Sequence, residues 1–344
     1  MAGKRYRVAQ WATGHTGISS LRSIIEHPQY DLVGLRVYAD GKVGRDAGEL
    51  CGLAPTGVVA TRDIEEILAA RPDCVMYMPL LHQESIDDMC RILESGSNIV
   101  TTVVGFPHAG TMAPAVRERI EAACTRGGTS LYGTGSCPGF ITEVVPLALL
   151  VMERRFDNIT IAQYADLSTR RSPEFLREIF GIDPATADLA DGAARSERTD
   201  GAALRQIADA MSVPIDDITA TSEIAVATKD TEIGVMTIPA GTVGAWRQDI
   251  TGYHKGSPLF SYSRVKYAVR DLEPAWEVLN TGWHVSVRGD VPMEMDLRFA
   301  SDGYGTWSPG INANLPVNSV ADVCDARPGI LTTAELPLVP NFSR

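Results

Sequence analysis

A chain of 344 residues, 44% hydrophobic and 22% charged, can bury two cores without disulfides or metal ions to staple them. A formal charge of −12 and a pI near 5.0, with no lysine or arginine cluster to interrupt the acidic average, exclude nucleic acid and anionic membrane as main partners. An anionic ligand must therefore be held by local geometry.

The first element is a strand from Tyr6 to Trp11. It breaks into the turn Ala12-Thr13-Gly14-His15-Thr16-Gly17, after which Ile18, Leu21, Ile24 and Ile25 recur at helical spacing until Pro28. Strand, glycine turn and helix form a phosphate cradle: N–H groups at a helix N-terminus point outward, and glycine admits a pyrophosphate without a Cβ in the way. The pattern is G-x-G-x-x-G with alanine at its first position. Placement after the first strand of an alternating chain supports the dinucleotide reading over an ordinary βα turn.

A second strand is predicted at Leu32–Tyr38, a third at Val58–Thr61 and a helix at Asp63–Ala70. The apolar run Cys74–Met78, ending at Pro79, suits a parallel strand buried on both faces. A helix over 84–95, a strand over 98–104, a helix over 114–126 and a strand over 130–132 complete an α/β Rossmann domain with a doubly wound parallel sheet. Ligands of such sheets lie beyond the carboxyl ends of the strands, here residues 11–17, 38–45, 79–81, 103–108 and 133–140.

The pattern changes near residue 155. A strand over 158–165 precedes a polar helical region over 173–211, and longer strands follow at 218–228, 234–238, 242–251, 259–269, 283–288 and 293–297. Gly252–Pro258 is the expected hairpin turn. This predicts an α+β domain with a mainly antiparallel sheet. A helical tail over 318–326 should return to the first domain, giving a dinucleotide-binding domain of residues 1–150 with 312–344 and a substrate and dimerisation domain of 151–311.

Six scattered cysteines, with no Cys-x-x-Cys and no histidine at ligand spacing, predict reduced, mostly buried thiols and no metal site. The segment Met1–Arg5 leads straight into the first strand, and no run of about 20 apolar residues occurs, so a cytoplasmic protein is expected.

Four strings in order give the chain a family likeness: Arg7–Gly14, Lys42–Gly48, Gly133–Phe140 and Pro328-Gly329. The chain resembles the dihydrodipicolinate reductase-like NAD(P)-dependent oxidoreductases, within them the branch of 2,4-diaminopentanoate dehydrogenase and the native amine dehydrogenases. The resemblance implies a Rossmann domain, a second domain whose sheet supports the substrate site and often a dimer, and hydride transfer between a nicotinamide and a C=N or C=O carbon. It also implies a catalytic glutamate just past the fifth strand. Residues 101–108 contain no carboxylate.

The end of the second strand decides between NAD and NADP, since a carboxylate there suits a ribose 2′-OH and a cation suits a 2′-phosphate. Tyr38 and Ala39 occupy that place; Asp40, Lys42 and Arg45 follow, which leans toward NADP, although Lys42 and Arg45 also read as solvated loop charges. Pro79, Leu80, Val103 and Val104 lie at strand ends, and Gly135, Ser136 and Pro138 could hold the carboxamide or simply form a turn. His108, with an ordinary pKa of about 6.5, is a candidate proton donor or a plain loop histidine. Tyr164 could polarise a carbonyl and Asp166 could bind an ammonium group, or both could be strand-end residues. Trp246, Trp276, Trp283 and Trp307 suit a core or an apolar substrate wall. The expected function is NAD(P)H-dependent hydride transfer to a small-to-medium, partly apolar substrate, with lysine biosynthesis not favoured; the alternative is an NAD(P)-binding redox sensor without turnover.

Overall fold

The computed structural model describes residues 4–80, 84–103, 105–106, 108–170, 173–300 and 304–337. The chain divides into two compact units, Met1–Phe140 with Ser308–Arg344, and Ile141–Trp307.

The first unit opens with β1 (Tyr6–Trp11), α1 (His15–Glu26), β2 (Tyr30–Arg36), the single turn α2 (Ala47–Leu50), β3 (Ala60–Thr61) and α3 (Ile64–Ala69). It continues through β4 (Cys74–Tyr77), α4 (Ser85–Glu94), β5 (Asn98–Thr101), α5 (Pro114–Gly127) and β6 (Ser130–Gly133). The second unit opens with α6 (Val145–Leu150), β7 (Phe156–Asp166), α7 (Pro173–Ile179) and α8 (Leu189–Ala210). Then come β8 (Asp217–Ala227), β9 (Thr231–Ile233), β10 (Met236–Ile238), β11 (Val243–His254), β12 (Ser257–Tyr267), β13 (Leu272–Glu273), β14 (Gly282–Gly289) and β15 (Met293–Arg298). The chain closes with α9 (Tyr304–Asn318), α10 (Val320–Asp325) and β16 (Gly329–Leu331).

The Rossmann sheet has the order β16-β6-β5-β4-β1-β2-β3, all parallel. Its strands are apolar on both faces because helices cover both. Ala9, Val75, Ile99 and Leu131 pack with residues of α4 and α5, whereas Val8, Met76, Val100 and Tyr132 pack with Ile24, Val317, Val320 and Val323. Chain order reverses between β1 and β4, so the carboxyl ends of these two strands form the switch point.

The second unit's sheet has the order β13-β8-β11-β12-β7-β14-β15; only β12 and β7 pair in parallel, the other neighbours being antiparallel. The helix α8 packs on β8 and β11.

Three expectations are corrected. The β11–β12 turn is not the seven residues 252–258: His254 pairs with Ser257, and only Lys255 and Gly256 turn, both at positive φ (51° and 77°). The strands β2 and β5 stop at Arg36 and Thr101 rather than at 38 and 104. Finally, residues 304–318 form a helix despite Pro309 and Pro316, with Ala313 and Val317 buried along it. All six cysteines are free thiols, four of them buried. No described helix is long and apolar enough to cross a membrane.

Candidate active site

The turn after β1 is built by close approaches. Ala12 sits at φ +74° in place of the first glycine, and its N–H donates to the Arg36 carbonyl at 2.9 Å. A Cβ on Gly17 would lie 2.3 Å from the Ala12 oxygen, so that position admits only glycine, while a Cβ on Gly14 would meet nothing within 4 Å. No side chain caps α1 at Gly14, and its first turn carries no carboxylate. Helix N–H groups and dipole are thus left for an anion. Gly14 and His15 are exposed, Thr13 is buried and Thr16 is half-buried.

Two residues unmarked in the sequence reading hold this turn. Gln10, fully buried, donates to the carbonyls of Ala12 (3.0 Å) and Trp11 (3.3 Å) and accepts from Ser20 Oγ of α1 (2.8 Å). Arg36 lies with its guanidinium 4.7 Å from the ring centres of both Trp11 and Tyr38, and the Trp11 indole N–H donates to the Tyr38 hydroxyl at 3.0 Å. The Nε and Nη1 atoms of Arg36 are buried without a hydrogen-bond partner among the described residues. The guanidinium therefore carries donors that an incoming ligand could satisfy.

Lys42 Nζ donates to Thr13 O (2.9 Å) and Thr13 Oγ1 (3.0 Å), which places its charge against the phosphate turn. Asp40, the nearby carboxylate, is paired with Arg62. Arg45 is exposed. The end of β2 thus offers cations and commits its carboxylate elsewhere.

The remaining strand-end residues have mixed roles. Pro79 is half-buried and Leu80 exposed after β4, but Val103 packs in the core with Phe106 and Met112. Val104 lies outside the described residues. His108 is buried, its carbonyl accepting from Thr111 N and Oγ1, its ring so close to Gly110 that a Cβ there would come within 2.7 Å of Cε1. In the loop after β6, Asn312 Oδ1 accepts from Ser136 N (2.8 Å) and Oγ (2.6 Å), the Cys137–Pro138 peptide is cis, and a Cβ on Gly135 would meet Asn312 Oδ1 at 3.1 Å.

In the second unit, Tyr164 lines a cavity of about 270 Å³ with Arg270, Asn280, Trp283, His284 and Arg298. Burial raises the Tyr164 pKa, so the phenol stays protonated at neutral pH. Asp166 Oδ1 accepts from Ser168 N (3.0 Å) and Oγ (2.6 Å), a structural task in the turn after β7, and its Oδ2 lies 3.7 Å from Arg270. Strand alternation puts Gln163 on the opposite face, where Tyr262 donates to it and Arg264 Nη2 donates to Asp200 Oδ1 at 2.8 Å. Trp283, Phe299 and Trp307 form an aromatic cluster, with ring centres 4.8 and 5.5 Å apart.

Comparison with known proteins decides the family. The chain is 31% identical to an amine dehydrogenase of Streptomyces virginiae, with 97% of each chain covered. Residues 186–343 match the family described as 2,4-diaminopentanoate dehydrogenase C-terminal domain. The chain belongs to the amine dehydrogenase and 2,4-diaminopentanoate dehydrogenase family. This family member is an NAD(P)-dependent oxidoreductase. Its fold is shared with the amine dehydrogenase of Mycobacterium smegmatis, at a TM-score of 0.79 and 17% identity over 99% of this chain and 98% of that one. A more distant likeness is GenD2 from gentamicin A biosynthesis, solved with NAD, at a TM-score of 0.53 and 14% identity over 94% and 87% of the two chains.

The turn of this amine dehydrogenase relative suits a dinucleotide on its own geometry: the Gly17 close approach, the uncapped α1 and the unsatisfied Arg36 donors all favour a bound phosphate. The sequence did carry signals for the residues missed. Gln10 is a polar residue inside a buried strand, and Arg36 closes β2.

Proposed function

We propose that this chain is an NADPH-preferring oxidoreductase that delivers hydride to the C=N or C=O carbon of a small-to-medium, partly apolar molecule. The observation that carries the cofactor preference is the end of β2: Arg36 and Lys42 offer positive charge beside the phosphate turn, while Asp40 is taken up by Arg62. The name of the Streptomyces virginiae relative supports C=N chemistry, with ammonia as the second substrate.

The nicotinamide supplies the hydride when bound. Proton transfer falls to side chains of the protein, and the segment after β5 has no carboxylate to do it. Tyr164, protonated at neutral pH and lining a cavity, is the first group to test; His108 and Asp166 are the others. The expected working form is a cytoplasmic homodimer, which light scattering of the purified protein checks for the oligomer.

The deciding experiment titrates NADPH and NADH against tryptophan fluorescence. It then follows absorbance at 340 nm with ketones and aldehydes, with and without ammonia. Tighter binding of NADPH and ammonia-dependent oxidation are expected. Binding without turnover on any substrate would favour a redox sensor, and failure to bind either dinucleotide would sink both readings.

A further inference from the structure

Two thiols meet at the end of the Rossmann sheet away from the phosphate turn. Cys74 opens β4, and the strands of this sheet run parallel, so it lies at their amino ends, whereas the turn after β1 lies at their carboxyl ends. Its side chain shares a buried cluster with Val8, Met76, Val100, Val320 and Val323, and Cys324 of α10 packs against that cluster. The Cys74 thiol is hydrogen-bonded to Cys324. Cys324 Sγ donates in turn to the carbonyl of Asp73, the residue before Cys74, at 3.6 Å. Both sulfurs also act on the phenol of Tyr30, whose hydroxyl donates to Val317 O at 2.9 Å. The other buried thiols are spent differently: Cys90 donates to Arg119 O at 3.9 Å and Cys51 to Gly48 O at 3.4 Å.

The paired thiols differ in what can reach them. Cys74 is fully buried and Cys324 half-buried. Burial and the contact with Cys324 hold the Cys74 thiol well above its ordinary pKa, so it stays protonated at neutral pH. A solute arriving from water meets Cys324 first. The pair also sits where the chain's tail is fastened to the sheet. Beside it, Asp325 accepts from Tyr6 Oη at 2.8 Å and pairs with Lys4, an ion pair more than half exposed on both sides that adds little. A covalent link here would close a loop of roughly 250 residues, which removes much of the freedom of the unfolded chain.

We propose that Cys74 and Cys324 form a peroxide-driven cross-linking site, whose disulfide fastens α10 to β4 and leaves the dinucleotide turn untouched. The Cys324 thiolate attacks one oxygen of the peroxide; the O–O bond breaks, hydroxide leaves, and Cys324 becomes a sulfenic acid. The hydroxide regains the proton that Cys324 gave up on ionising. The Cys74 sulfur then attacks the Cys324 sulfur, the S–O bond breaks, and the departing hydroxyl takes the Cys74 proton. Two thiols are oxidised to one disulfide, and one peroxide is reduced to two waters. The inference is independent of the oxidoreductase reading above.

The test uses the reduced full-length protein and hydrogen peroxide as the probe. Mass spectrometry of peptides released without reductant should find Cys74 and Cys324 joined, and dithiothreitol should separate them. The melting temperature of the oxidised wild type should rise by about 5 °C, while NADPH affinity stays within about twofold. Cys324→Ser, which keeps a hydroxyl donor for Asp73 O, should abolish both the joined peptide and the rise. Cys74→Ala should stop at the sulfenic acid, which dimedone labels on Cys324 far more than in the wild type. If Cys74→Ala fails to fold, the wild-type peptide map and Cys324→Ser still decide. The site is overturned if no joined peptide forms, if the joined peptide holds a different pair of cysteines, or if the melting temperature of the cross-linked protein does not rise. Loss of NADPH binding together with formation of the link would overturn its separation from the phosphate turn.

Discussion

Gln10 donates its side-chain amide to the carbonyl of Ala12 at 3.0 Å, from a position with no solvent exposure. The same side chain takes the Ser20 hydroxyl from α1, so one residue ties the strand end to both the turn and the helix that frame the phosphate site. Replacing it by leucine would leave the Ala12 oxygen and the Ser20 hydroxyl buried without these partners. Gln10→Leu is expected to cost about 1–3 kcal/mol in urea unfolding and to weaken both dinucleotides. Adding Ser20→Ala should cost less than the sum of the two single changes, because they share one network.

Gly17 makes a harder demand. A methyl group there would stand 2.3 Å from the Ala12 oxygen, and backbone on both sides would have to move. Gly17→Ala should destabilise by about 1–3 kcal/mol, as overpacked sites do, and raise the dissociation constant of NADPH by an order of magnitude or more. Gly14→Ala is the control: its added methyl meets nothing within 4 Å in the protein, so stability should hold while dinucleotide affinity falls. Equal affinity in Gly14→Ala would mean that no phosphate approaches this turn.

Arg36 and Lys42 should separate in their effects. The guanidinium is stacked on two rings and has buried donors to spare, whereas the ammonium also fastens Thr13. Arg36→Met should therefore weaken NADPH about 10–100-fold and NADH by less than about threefold. Lys42→Ala should weaken both, since it loosens the turn itself. Fluorescence titration of both cofactors at two salt concentrations checks this. An Arg36 variant that loses NADH and NADPH alike would remove the 2′-phosphate assignment.

The Rossmann half was legible because its signals are local. A buried strand, two glycines and an amphipathic helix follow one another between Tyr6 and Glu26, and their chemistry needs no distant partner. The end of β2 was misplaced because Val37 and Tyr38 prolong the apolar run past Arg36, the last residue in register with β3, which hid Arg36 inside an expected strand. Gln10 carried no assigned role because its partner Ser20 lies on the following helix. In the second unit the strands were found, but the sheet face that each residue takes depends on pairing. The alternation of Tyr262, Arg264 and Lys266 in β12 was visible, yet Asp200, which gives it meaning, comes from α8 more than sixty residues earlier. Helix α9 was missed because Pro309 and Pro316 imitate a loop, and only burial of Ala313 and Val317 supports the helix there.

Lys266 should reveal itself in the pH dependence of stability. Its folded pKa of about 8 lies below the ordinary lysine value of 10.5, so between these two values the unfolded chain binds the proton that the folded chain has released. Stability from this group must then rise with pH from about 8 to about 10.5, and below 8 both states are charged and the full penalty is present. Lys266→Met removes the charge and keeps much of the apolar stem. At pH 7 the variant should be more stable than the wild type by about 1–3 kcal/mol, the lower end applying to the extent that water reaches the amine. The advantage should shrink as pH passes 8 and vanish near 10.5. Urea unfolding of both proteins from pH 6.5 to 10.5 measures it, and taking the difference cancels the tyrosines and cysteines that titrate in the same range. A wild type whose stability relative to Lys266→Met does not change between pH 7 and 10.5 would show that the amine is not held below its ordinary value.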